Sequence, residues 1–258
     1  MGPPKTNMKL LRIGKLNQEK PAFIDADGIT RDLSSVIQDL YPETINQETI
    51  ETINSINPKK LPKISNKTRI GACVSNPQKF IGIGLNYTDH AEETGMKIPS
   101  EPIVFLKANS CISGPYDDVI IPKKSKKTDW EVELGIVIGK KAQYISENES
   151  INHIFGYCIV NDVSEREFQI ERSGQWDKGK GCDTFGPIGP FLVTKDEIKD
   201  VQNLNLELKV NGKIMQKGNT KKMIFGVTYI VSYLSNFMTL NPGDIITTGT
   251  PPGVGMAK

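Results

Sequence analysis

From residue 80 onward the chain is cut into short apolar runs separated by Gly, Pro, Asn and Asp, a punctuation that suits strands and little else. The clearest runs are 80–85, 103–106, 130–138, 157–160, 204–210 and 244–248. Asn211-Gly212 directly after 204–210 is a two-residue hairpin signal, with 213–216 as the return strand. One long helix is predicted, because Met223, Val227, Ile230, Val231, Leu234 and Phe237 recur at i, i+3/i+4 spacing until Pro242-Gly243 ends the pattern. So few helices could not cover both faces of a parallel sheet. The fold class is therefore α+β, mostly antiparallel or mixed β.

The first part of the chain reads as a unit of its own. Strands are predicted at 10–13 and 21–24, a turn at 25–28, a helix over 33–40 and a weaker helical stretch over 49–56. Residues 57–69 carry prolines and lysines and suit a linker. The predicted organisation is a small N-terminal domain, 1–70, and a larger domain, 71–258, without internal repeats.

Composition excludes several functions. With 32 Lys+Arg against 30 Asp+Glu, the net charge of +2 makes no electrostatic case for nucleic acid or an anionic membrane as partner. No apolar run is long enough to span a bilayer, and no charged-then-apolar leader opens the chain. The four cysteines lie far apart without a C-x-x-C, a pattern of reduced thiols expected in a cytoplasmic protein. Two histidines, His90 and His153, exclude a three-histidine metal site. Gly2 falls in a loose myristoylation pattern, against which the two following prolines argue.

Chemistry concentrates in a few segments. In 129–138, DWEVELGIVI, strand alternation puts Trp130, Val132, Leu134, Ile136 and Ile138 on one buried face and Glu131 and Glu133 on the other, about 6.5–7 Å apart. Such a pair suits the solvated face of an amphipathic strand, or else a hard divalent ion held by oxygen ligands. Asp162 follows the strand 156–160 at a strand-to-helix junction, as a turn residue or as a third carboxylate. Ser164 and Glu167 form an S-x-x-E capping box, and the predicted helix carries Arg166 and Gln169 on one face, suited to a carboxylate-bearing substrate or to a surface salt bridge. The segment 82–87, GIGLNY, lacks the third glycine of a dinucleotide loop. A short helix started by Asn86 or Thr88 pairs His90 with Glu93 at i, i+3, which is how a water-activating base is built, although a histidine there also serves as a surface residue. The Gly-rich loop 176–187 carries Lys180, and 247–255, TTGTPPGVG, offers hydroxyls and amides to an anion. The lysine run 123–127 reads as a solvated loop.

Taken together, GIGLNYTDHAEE (82–93), PIVFLKANSCISGP (102–115), DWEVELGIVIGK (129–140), GYCIVNDVSEREFQ (156–169), KGKGCDTFGPIGPFLV (178–193) and NPGDIITTGTPPGVG (241–255) resemble the fumarylacetoacetate hydrolase family, in order and over residues 71–258. The resemblance implies a mixed β-sandwich roll with one active site per subunit, in a homodimer, behind a small N-terminal domain. It implies that Glu131, Glu133 and Asp162 bind Mg²⁺ or Mn²⁺ and that His90 with Glu93 activates water on a lid segment. Lys180 would lie near developing negative charge, and Arg166, Gln169 and Thr250 would contact substrate. Ala108-Asn109, Cys111 and Asp177-Lys178 depart from the family pattern and bear on substrate shape more than on the metal. The implied reaction is hydrolysis of a C–C bond in a β-diketo acid through a metal-stabilised enolate, acylpyruvase fashion. Isomerisation, decarboxylation or another lyase reaction on a small 2-oxo dicarboxylate is the alternative, and a scaffold without turnover is a third. Family members usually continue past TGTPPGVG, whereas this chain stops at Met256-Ala257-Lys258, so a core that binds metal with a loosened Thr250 end is expected.

Overall fold

The computed structural model describes residues 8–257, so the Gly2 pattern lies outside the described residues. Nine strands form one sheet: β1 (Lys9–Ile13), β2 (Lys20–Ile24), β3 (Thr30–Asp32), β4 (Phe80–Gly84), β5 (Ile103–Lys107), β8 (Val132–Ile138), β9 (Ile154–Asn161), β12 (Leu192–Thr194) and β15 (Ile245–Thr247). The order across it is β3-β2-β1-β12-β9-β8-β15-β4-β5. Every pairing is antiparallel except β15 with β4, so the sheet is mixed. Three small pairs lie outside it: β6 (Ile112–Ser113) with β11 (Gly186–Pro187), β7 (Thr128–Asp129) with β10 (Ser164–Glu165), and the hairpin of β13 (Asn205–Val210) and β14 (Lys213–Asn219). The hairpin turn is the one the sequence predicts, with Asn211 at φ 50° and Gly212 at φ 78°.

Both faces of the sheet centre are covered. On one, Ile81, Ile83, Leu134, Ile136 and Ile246 pack with Val227, Ile230 and Leu234 of α5 (Val227–Ser235), which lies against α3 (Glu147–His153). On the other, Phe80, Val137, Val160 and Ile245 pack with Leu10, Phe23 and Leu33. The first 70 residues thus add β1–β3 to the main sheet and share its core, together with α1 (Gln47–Ser55). Each Ile or Leu so buried contributes about 1.5–3 kcal/mol.

Burial overturns one reading of the central strand. All seven positions of β8 are buried, and Glu131 and Glu133 with them, at 6% and 1% exposure, so the acidic pair does not belong to a solvated face. The strand also begins later than predicted, at Val132, because Trp130 N–H donates to the Asp129 side chain and Glu131 N–H to the Asn161 side chain.

Three further expectations fail for local reasons. Residues 33–40 make a single turn rather than a helix. After Val36 and Ile37 bond back to the Leu33 carbonyl, the Asp39 carboxylate takes the Leu40 N–H and the Arg12 guanidinium instead. The long helix starts at Val227, not Met223, since Ile224 and Phe225 N–H groups are committed to Asn86. It ends at Ser235, leaving Phe237 beyond it and exposed. The Ser164–Glu167 capping box does not form. Ser164 pairs with Asp129 in β10, its hydroxyl donates to the Asp162 carbonyl, and the helical turn at Glu167–Glu171 is a π-turn.

Candidate active site

The site lies where β8 begins and β9 ends. Val132 stands opposite Asn161 in the ladder, and Asp162 N–H donates to the Glu131 carbonyl at 2.8 Å. This register brings Glu131, Glu133 and Asp162 together from segments about 30 residues apart. Among the described residues they form a buried carboxylate triad whose ligand oxygens lie within 4.8 Å of one another.

Cations enter from three other elements. Lys180, at the end of α4 (Asp177–Lys180), donates to Glu131 Oε2 at 2.8 Å and Asp162 Oδ2 at 2.7 Å. Lys107, the last residue of β5, places Nζ 2.6 Å from Asp162 Oδ1 and also donates to the Lys180 carbonyl. Arg166 bridges Glu131 Oε1 at 2.7 Å and Asp129 Oδ2 at 2.7 Å, and donates to Gln169 Oε1 at 3.0 Å. Asp129 in turn accepts from Gly255 N–H at 2.6 Å and Met256 N–H at 3.0 Å.

Glu133 differs from its neighbours. Its oxygen accepts from the Thr247 hydroxyl and from Gly249 N–H at 2.7 Å, with no cation in direct contact among the described residues. Burial pushes its carboxyl up, and the charges of Asp162 and Glu131 push it further, well above the usual carboxylate range. Burial acts in the same direction on Glu131, but Lys180 and Arg166 outweigh it and hold that carboxyl down at about 2. Burial disfavours the Lys180 ammonium, yet Asp162 and Glu131 prevail and raise it.

The donor set fits a hard divalent cation. All three converging groups are carboxylates, the oxygen donors that hard divalent cations take. Asp162 Oδ1 is buried and makes no hydrogen bond despite its nearby ammonium. Glu133 is held against two like charges that a cation would neutralise.

The remaining candidates frame the same cavity, 60 Å³ in volume, lined by His90, Arg166, Gln169, Lys180 and Thr250 together with Glu131 and Glu133. His90 and Glu93 lie on α2 (Thr88–Thr94) with Nδ1 3.4 Å from Glu93 Oε2. Glu93 also accepts from Gly253 N–H at 3.0 Å, which ties α2 to the TGTPPGVG loop. The helix has no side-chain cap. Asn86 instead donates to the Phe225 and Thr248 carbonyls at 3.0 and 2.8 Å, and so holds Leu85 at a left-handed φ of 49°. Thr250 is buried, donates to the Val132 carbonyl at 2.9 Å and accepts from Gln216 Nε2 at 2.8 Å. Against the expectation of a loosened end, this loop is bonded on both sides.

Sequence reasoning missed Lys107, Asp129 and Gln216. Lys107 carries a legible signal: a lysine closing the strand Ile103–Lys107 whose Phe105 and Lys107 alternate inward. Gln216, in β14, accepts the Val132 N–H and has no such signal, since nothing local shows where the hairpin docks.

The family model described as "Fumarylacetoacetate (FAA) hydrolase C-terminal" matches residues 79–258. The chain belongs to the fumarylacetoacetate hydrolase family. A protein of Burkholderia lata, named provisionally as a hydrolase, is 57% identical over 249 residues, which are 96% of this chain and 88% of that one. The structure of a fumarylacetoacetate hydrolase from psychrophilic Exiguobacterium antarcticum superposes with a TM-score of 0.86 at 32% identity, over 97% of this chain and 89% of that one. The structure of 5-carboxymethyl-2-hydroxymuconate delta-isomerase from Mycobacterium smegmatis gives 0.76 at 33% identity, over 96% and 89%. The family's hydrolases and isomerases therefore both count this chain as similar, within one α+β, mostly β, fold.

Proposed function

We propose that this family member is a Mg²⁺- or Mn²⁺-dependent hydrolase that cleaves a C–C bond of a β-diketo acid, releasing a carboxylic acid and a 2-oxo acid. The observation that carries the reading is the buried triad Glu131, Glu133 and Asp162, of which Glu131 and Glu133 line the same cavity as His90, itself 3.4 Å from Glu93. Glu131, Glu133 and Asp162 would hold the divalent cation, which would supply positive charge to a 2-oxo acid's oxygens and to the negative charge that develops when the adjacent bond breaks. His90, oriented by Glu93, takes the proton from the attacking water. Lys180 stabilises the negative charge that forms on the attacked carbonyl oxygen. Arg166 holds Glu131 in place through its 2.7 Å contact while Gln169 presents its amide to the cavity.

The same charge arrangement also supports isomerisation, the activity in the name of the Mycobacterium smegmatis neighbour, because an enolate needs no water to shift a double bond. Incubation with Mg²⁺ and a series of acylpyruvates, followed by loss of enol absorbance and product analysis, tests the proposal. Acid plus pyruvate is the expected outcome. A hydroxymuconate-type diacid converted to its isomer, with acylpyruvates untouched, would establish the second reading instead.

A further inference from the structure

We infer that the cavity selects a 2-oxo acid whose far end is uncharged and apolar, and that Phe105 and Trp176 are the selecting residues; the inference rests on the proposed role of the carboxylate end. The device is written in β4. Its sequence FIGIG puts Gly82 and Gly84 on one face. A Cβ at Gly82 would lie 2.1 Å from the Phe105 ring, and one at Gly84 would lie 2.3 Å from the Trp176 indole. The two glycines thus leave a trough that only a bare backbone can provide. In it lie Phe105, opposite Gly82 in the β4–β5 ladder, and Trp176, with ring centroids 5.6 Å apart and planes inclined at 53°.

This aromatic shelf adjoins the charged cluster at Phe105. The Lys180 ammonium stands 5.0 Å from the Phe105 centroid. Leu85, Met96 and Met256 complete the apolar lining. Among the described residues lining the cavity, the Arg and Lys side chains are Arg166 and Lys180, and both are bound to the carboxylates. A second carboxylate on the substrate would be desolvated against aromatic rings without a cation to receive it. An alkyl or aryl group would instead gain by burial. Gly-Ile-Gly, which lacks the third glycine of a dinucleotide loop, seats two rings.

Calorimetric binding of 2-oxo acids that lack a cleavable β-carbonyl tests this with the Mg²⁺-loaded protein. Affinity is expected to rise about fourfold per added methylene from pyruvate to 2-oxohexanoate. The diacid 2-oxohexanedioate is expected to bind at least about tenfold more weakly than 2-oxohexanoate. Gly84→Ala, whose new methyl displaces Trp176, should flatten the chain-length series while leaving Mg²⁺ and pyruvate binding in place. Trp176→Ala provides the same comparison from a side chain that is only half-buried. A flat series in the unaltered protein, or a diacid that binds as well as the monoacid, overturns the inference with the carboxylate end intact. Pyruvate binding that ignores Mg²⁺ overturns the reading of the carboxylate end itself.

Discussion

The crevice between the first 70 residues and segment 72–114, 560 Å³ in volume, is lined by Arg12, Glu19, Asp39 and Arg69, whereas the 60 Å³ cavity beside β8 is lined by Glu131, Glu133, Arg166 and Lys180. In the crevice each carboxylate meets a guanidinium. Arg12 grips both oxygens of Asp39 at 2.7 and 2.9 Å, and Arg69 reaches Glu19 at 2.7 Å and both oxygens of Asp117. In the cavity three carboxylates converge on one another and one of them, Glu133, receives only a hydroxyl and an amide. Volume therefore does not single out the proposed active site. Unrelieved like charge does, because a fold tolerates it where a ligand is to supply the missing counter-charge.

Removing one acid from each region should break the resemblance between them most sharply. Asp162→Ala is expected to abolish divalent-ion binding and turnover together, by more than about 100-fold. It also leaves Lys107 and Lys180 short of a partner, at a cost of about 3–5 kcal/mol, which thermal unfolding will register. An Asp162→Ala protein that bound Mg²⁺ with native affinity would remove Asp162 from the ligand set.

Next in size is the proposed proton acceptor. His90→Ala or Glu93→Gln should lower turnover by about 10²–10⁴-fold while Mg²⁺ affinity stays near native. Equal losses in both would assign α2 a structural part in the cluster, a possibility that the Glu93 contact with Gly253 makes worth measuring.

How far these regions were legible in sequence follows from what each depends on. The strands from residue 80 onward were readable because apolar runs and turn residues set them locally, and the hairpin at Asn211-Gly212 because its turn demands positive φ. Glu131, Glu133 and Asp162 could be proposed from spacing and family likeness. Their burial could not, since alternation in β8 looks the same whether its second face meets water or a second core. The helix predicted at 33–40 failed because Asp39 answers to Arg12, a residue 27 positions away. Gln216 escaped for the same reason: it acts on a segment that only the assembled sheet brings near.

A smaller effect separates the crevice as a purely structural network. Asp39→Ala strips Arg12 of its paired acceptor and should cost about 1–3 kcal/mol of stability. Mg²⁺ binding and turnover should not move. A change in metal affinity in this variant would mean that the two charge clusters are coupled through β1 and β12.

The smallest expected effect is a difference in sign. In the crevice the Arg69 hydrogen bond, which prevails over burial, lowers the Asp117 carboxyl below its ordinary 3.8. That contribution to stability is present above pH 3.8 and is lost as the pH falls through the depressed value. Glu133 runs the other way. Burial, Asp162 and Glu131 raise its carboxyl well above 4.5, so the folded metal-free protein keeps this proton more tightly than the unfolded chain does. Its contribution is fully present below pH 4.5 and is lost as the pH climbs through the raised value. Glu133→Gln mimics the protonated carboxyl and keeps an acceptor for the Gly249 N–H. The metal-free variant should therefore match the parent in unfolding free energy near pH 4.5 and exceed it increasingly toward neutrality. With the proposed ligand set, Mg²⁺ should reverse the ranking, since it stabilises the parent more than a variant without the Glu133 carboxylate. Denaturant unfolding across that pH range, with and without Mg²⁺, measures both. Parallel pH profiles for the two metal-free proteins would show that Glu133 is not held against its neighbours' charge, and the contrast with the crevice would then lose its physical basis.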